Sequence, residues 1–125
     1  MSSDAIRIGT AYAEALAAKD YDALAELLAD DVDFRALTPN KQWEQHTPKE
    51  AIHDVICVWF DDGDHIEELR AVQVRPVAGP RSLVSYQLLV RNADGPHVVE
   101  QQAYFEHDAG KITWMRTLCA GYIPV

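Results

Sequence analysis

SLVSYQLLVRNADGPHVVEQQAYFEHDAGKITWMRTLCA, residues 82–120, reads as three strands separated by two turns. Over 82–92 one face is Val84, Tyr86, Leu88 and Val90, and the other is Leu83, Ser85, Gln87, Leu89 and Arg91. A period of two with one uniformly apolar face predicts a strand laid on a core. Ala93-Asp94-Gly95-Pro96 and Asp108-Ala109-Gly110 have turn composition and bound strands of about 97–107 and 112–120. Upstream, 65–76 reads as a further strand closed by Ala78-Gly79-Pro80. Connections this short make the neighbours antiparallel. In the last strand both faces are partly apolar: Thr113, Met115, Thr117 and Cys119 on one, Ile112, Trp114, Arg116 and Leu118 on the other. One helical layer covers one face of a sheet, so the outer face is expected to meet a second copy of the chain.

The first half of the chain changes period. A helix is predicted from about residue 4 to 19, with Ile8, Tyr12, Ala15 and Leu16 on one stripe. Asp20 suits the N-cap of a short second helix carrying Leu24, Leu27 and Leu28, ended by Asp30 and Asp31. Residues 32–37, VDFRAL, alternate as a short strand stopped by Pro39, and 39–46 reads as a loop. Thr47-Pro48-Lys49-Glu50 has the form of a capping box with proline at the first helical position. The helix it opens shows Ile52, Val55, Ile56, Trp59 and Phe60 on one wide apolar face. The order is α-α-β-α-β-β-β-β, an α+β arrangement in which a curved antiparallel sheet wraps around three N-terminal helices.

The 125 residues are expected to form a single domain, 1–125, with 48% apolar and 25% charged side chains. No apolar run approaches the length of a membrane helix. Twenty acids against 11 bases, a net charge of −9, disfavour nucleic-acid and anionic-membrane partners. The N-terminus carries no apolar signal core, so a cytoplasmic location is expected, with Cys57 and Cys119 reduced. His53 and Cys57 stand at i and i+4 with Asp61 a turn on, but no fourth ligand is near and no metal is expected. No glycine-rich phosphate loop, GxSxG elbow or HExxH is present.

The element order and the stretch YAEALAAKDYDALAELLADD, residues 12–31, resemble the nuclear-transport-factor-2-like superfamily, especially its ketosteroid-isomerase and SnoaL-like polyketide-cyclase branches. The tail AGKITWMR, residues 109–116, resembles the last hairpin of that group. The resemblance implies a cone enclosing a mostly apolar cavity, with pairs forming through the outer sheet face. In the steroid isomerases a first-helix tyrosine donates to the substrate oxygen, an aspartate is the base and a protonated aspartate is the second donor. Tyr12 matches the tyrosine, while the two aspartate positions fall on Ala36 and Ala103. The resemblance therefore supports the scaffold and argues against steroid isomerase chemistry.

On that frame the cavity walls include Phe34, Trp59, Tyr86, Gln101, Phe105, Met115 and Thr117, the expected ligand-binding set. The polar members, with Tyr12, are neutral, which suits a small, hydrophobic, oxygen-bearing molecule bound without a cofactor. Glu44 and His46, beside Trp43 in the 39–46 loop, are the expected proton acceptors near the mouth, and Tyr12 is the expected donor. Glu100, Gln102, Trp114 and Arg116 should point outward into the pair interface. The activity expected is that of an isomerase, cyclase, dehydratase or hydrolase. A ligand-binding protein without turnover and a dimerisation module with a filled core are the alternatives.

Overall fold

The computed structural model describes residues 3–125. Helices α1 (Ser3–Ala17) and α2 (Tyr21–Leu27) precede strands β1 (Leu28–Thr38) and β2 (Lys41–Gln45). Helix α3 covers residues 48–59, and β3 (His65–Pro76), β4 (Ser82–Asn92), β5 (Gly95–Asp108) and β6 (Lys111–Pro124) follow. The strands form one curved, unclosed sheet in the order β2-β1-β6-β5-β4-β3. The helices cover its inner face, giving the α+β cone expected from the sequence.

Local chemistry explains the helix ends. Asp20 Oδ1 accepts from the Ala23 amide at 3.1 Å and starts α2. Thr47 Oγ1 accepts from the Glu50 amide at 3.2 Å and donates to Glu50 Oε1 at 3.0 Å, so the carboxylate of this capping pair returns to the hydroxyl rather than to the Thr47 amide. Within α3 the segment Ala51–Ile56 is π-helical, and the wider turn brings Ala51, Ile52, Val55 and Ile56 all to the core. Lys19 Nζ donates to the carbonyls of Asp61 (2.7 Å) and Asp64 (2.6 Å), tying the α1–α2 turn to the α3–β3 loop.

Four details differ from the sequence reading. Residues 41–45 of the expected loop form β2, paired antiparallel with β1 so that Trp43 faces Ala36 and Glu44 faces Arg35. Leu28 belongs to β1 and pairs with Ile112, and the exposed Asp30 and Asp31 lie in the irregular register before Asp33. The sheet is mixed, because β1 joins β6 in parallel while every other ladder is antiparallel. Strand β6 also runs past Ala120 to Pro124 through Gly121, whose φ of 90° needs glycine.

Gly9 sets how closely α1 lies on the sheet. A Cβ there would stand 2.9 Å from Val74 Cγ2 and 3.2 Å from Phe105 Cζ. Val74 is β-branched and stiff, so the contact is relieved only by moving the helix. Gly9→Val is expected to destabilise the protein by about 1–3 kcal/mol or more. An unchanged melting temperature would contradict this packing.

Candidate functional site

Alternation along the strands aims one set of side chains into the cone. On β4 and β5 these include Val84, Tyr86, Leu88 and Val99, Gln101, Ala103, Phe105, and on β6 Met115, Thr117 and Cys119, all buried. The ladders stack them in rungs. Phe34, Met115 and Phe105 share one, Ala36, Thr117 and Ala103 the next, and Cys119, Gln101 and Tyr86 another. Tyr12 descends from α1, and its phenol is close enough to Tyr86 to help raise the latter's pKa. Trp59 at the end of α3 packs on Phe34 and meets Trp43 edge-on, each at 6.2 Å between ring centroids.

The interior is apolar except for a small neutral set. Tyr12 is 0% exposed, Gln101 1%, Tyr86 2% and Thr117 4%. The Tyr86 hydroxyl donates to Gln101 Oε1 at 2.6 Å. The Tyr12 hydroxyl, Gln101 Nε2, Thr117 Oγ1 and Trp59 Nε1 are buried with no hydrogen-bond partner. Native proteins pair nearly all such atoms, and each unpaired one costs about 1–3 kcal/mol. All four belong to residues that the sheet and helices bring to the inner side, and none has its hydrogen-bonding capacity met by the protein itself. Burial holds the Tyr12 phenol above its usual pKa. Burial, then the nearby Tyr12 and Cys119, does the same for Tyr86. Both therefore remain protonated donors at neutral pH and do not act as bases.

The structure thus gathers Tyr12, Phe34, Trp59, Tyr86, Gln101, Phe105, Met115 and Thr117 on the inner side. It does not bring Glu44 and His46 there. The β1–β2 register turns Trp43 inward and Glu44 outward, beside Arg35, and His46 Nε2 lies 2.7 Å from Glu44 Oε2 with both side chains half exposed. On the same outer face Arg116 holds Asp33 through bonds of 3.1 and 3.3 Å, and this keeps the Asp33 carboxyl below its usual range. No carboxylate, lysine or arginine is buried among the described residues. Cys57 and Cys119 are unpaired thiols. His53 is exposed, and no group of three or more potential metal ligands converges among the described residues.

Sequence reasoning missed one inward polar residue. His97 is 8% exposed, continues the alternation of Val99 and Gln101, and packs against the Tyr122 ring at 5.7 Å. Its Nδ1 lies 2.9 Å from the Gly95 carbonyl, which can only accept, so Nδ1 carries the proton of that bond. Extending the period of two by one step toward the turn would have found it.

With this geometry in hand the kinship of the chain is clear. The SnoaL-like domain model matches residues 10–115, and the chain belongs to that family. Among solved structures it is similar to a Xanthomonas campestris pv. campestris protein assigned as a polyketide cyclase, at 23% identity over 92% of this chain and 89% of that one, with a TM-score of 0.71. An LEH-like epoxide hydrolase of M. tuberculosis superposes with a TM-score of 0.68 at 18% identity, covering 94% of this chain and 84% of the other. An NTF2-like protein of unknown function from Mesorhizobium loti gives 0.69 at 18% identity, over 96% and 93%. No curated protein matches the sequence significantly. No helix among the described residues is long and apolar enough to cross a membrane.

Proposed function

We propose that the cone interior binds a small, mostly hydrophobic molecule through its oxygen atoms. The observation that carries this reading is the set of four unpaired buried polar atoms on the otherwise apolar inner side. An oxygen entering beside Tyr12 and Gln101 would receive hydrogen bonds where water cannot compete, and such donors favour negative charge developing on it. That is the electrostatic part of an isomerase, cyclase or hydrolase reaction, and the cyclase and hydrolase among the structural neighbours support it. The reading needs no cofactor. Ligand binding without turnover is favoured by one fact: no charged group is hydrogen-bonded to the Tyr12 hydroxyl.

Tyr12→Phe tests the reading with 1-decalone, a bicyclic ketone, as probe. The hydroxyl has no internal partner, so stability should stay within about 1 kcal/mol of wild type or rise. Affinity measured by calorimetry should fall by about 2- to 12-fold, the loss of one hydrogen bond. A destabilised variant with unchanged affinity would remove Tyr12 from the site.

The same family reading assigns the outer sheet face to a second copy of the chain. Leu37 and Leu118 are cross-strand partners there, 47% and 55% exposed, and Tyr104 lies across from Arg116 nearby. Trp114 is flanked by the Arg81 and Arg116 guanidinium groups at 4.2 and 4.5 Å. Light scattering at micromolar protein should give twice the 14.0 kDa of the chain, and Leu118→Glu should return the monomer mass. A monomeric wild type would overturn the assignment.

A further inference from the structure

We infer that the molecule held in the interior carries acceptor oxygens at two ends, and that the indole N–H of Trp59 reads the second one. The inference rests on the binding reading above and narrows its ligand class.

The chemistry of the unpaired atoms is one-sided. Gln101 Nε2 and Trp59 Nε1 can only donate, while the Tyr12 and Thr117 hydroxyls can donate or accept. The one obligate side-chain acceptor of the group, Gln101 Oε1, already accepts from the Tyr86 hydroxyl. No unpaired atom in the set is acceptor-only. A ligand that satisfies the site must therefore bring lone pairs, as ketones, ethers and esters do.

The donors also sit on opposite sides. Tyr86 and Gln101 share a β4–β5 rung, with Tyr12 close to Tyr86, and form one pole. Trp59 packs against Phe34 of β1 and Trp43 of β2 and forms the other. Strand β6 lies between β1 and β5 and carries Thr117 across the middle. The strands beneath the two poles are thus two strand spacings apart, about 9–10 Å. A single carbonyl reaches one pole, whereas a skeleton of two fused rings can present an oxygen to each.

Trp59 is built as a donor rather than as filler. Its neighbour Trp43 has its indole N–H satisfied internally by Thr38 Oγ1 at 3.0 Å, and Trp59 has no such acceptor. Phenylalanine would pack against the same rings without stranding a buried N–H. The Trp59 carbonyl accepts from the Tyr122 hydroxyl at 2.6 Å, which pins the end of α3 and with it the start of the indole side chain. A donor held in place before the ligand arrives binds with less loss of freedom.

The test compares 1-decalone with decalin-1,5-dione, which share a skeleton and differ by one carbonyl. Calorimetric titration of the whole protein should show the dione binding about 2- to 12-fold tighter than the monoketone, the gain of one hydrogen bond. In Trp59→Phe that preference should vanish or reverse, read as the ratio of the two affinities in the variant. Should Trp59→Phe fail to fold, the indole resonances of 15N-labelled wild type give the same answer. The Trp59 N–H should shift downfield with the dione and move far less with 1-decalone, with Trp43 and Trp114 as internal references. Equal affinities in wild type, or a preference that survives Trp59→Phe, would overturn the two-ended ligand and leave the binding site standing. Failure of both probes to bind would overturn the site and this inference together.

Discussion

The double variant Tyr86→Phe, Gln101→Met is expected to be as stable as wild type or more so, although each single variant is destabilised. The Tyr86 hydroxyl and Gln101 Oε1 form a 2.6 Å bond between two side chains that are 2% and 1% exposed. Tyr86→Phe leaves Gln101 with both its oxygen and its nitrogen unpaired in the core, at about 1–3 kcal/mol. Gln101→Met strands the Tyr86 hydroxyl instead, offset in part because the unpaired Nε2 disappears; methionine keeps the unbranched shape of the side chain. Removing both partners removes every stranded group at this rung, and burial of apolar area is kept. The cycle should return a coupling energy of about 1–3 kcal/mol from urea unfolding, with simple additivity as the contradicting result. Affinity for 1-decalone should be weakened in the double variant despite its stability.

At high pH the fold should be lost in step with ionisation of its buried phenols. Burial raises the pKa of Tyr12 and Tyr86 well above the usual value near 10. The raised groups contribute stability that is complete below pH 10 and is lost as pH climbs, because the unfolded chain releases these protons first. Each phenol adds about 1.4 kcal/mol per pH unit to the drive for unfolding, so the pair adds roughly 3 kcal/mol per unit between pH 10 and 12. Over that range the loss is comparable to the net stability of an ordinary domain. Circular dichroism and phenolate absorbance at 295 nm, followed together, should show the last tyrosines ionising only as secondary structure is lost. Tyr12→Phe should move the alkaline midpoint upward. All five tyrosines ionising while the native spectrum persists would contradict the burial of these hydroxyls.

Both expectations rest on residues whose facing could be read from sequence. Period-two alternation in 82–92 and 65–76 gave strands whose bounds match β4 and β3, and the parity of Val84, Tyr86 and Leu88 gave the inward face. Thr47, Pro48 and Glu50 announced α3 because capping is local chemistry. What depended on distant partners was less legible. Strand β2 is only five residues, Lys41–Gln45, and its pairing with β1 follows a turn at Pro39 and Asn40 that composition alone reads as a loop. That pairing turns Glu44 to the outer face beside Arg35, a direction that a loop reading does not give. The parallel β1–β6 ladder joins segments some 80 residues apart, beyond any local pattern. The π-helical turn of α3 and the unpaired state of Trp59 Nε1 depend on how helices settle on the sheet. Spacing places Trp59 on an apolar wall and says nothing of where its N–H finds a partner.

A crystal structure of the protein soaked with 1-decalone tests the central claim most directly. The account predicts one molecule inside the cone, its rings against Phe34, Trp59 and Met115, with the carbonyl oxygen about 2.7–3.2 Å from Tyr12 Oη or Gln101 Nε2. An empty interior with the ketone bound on the outer sheet face, or nowhere, would contradict it.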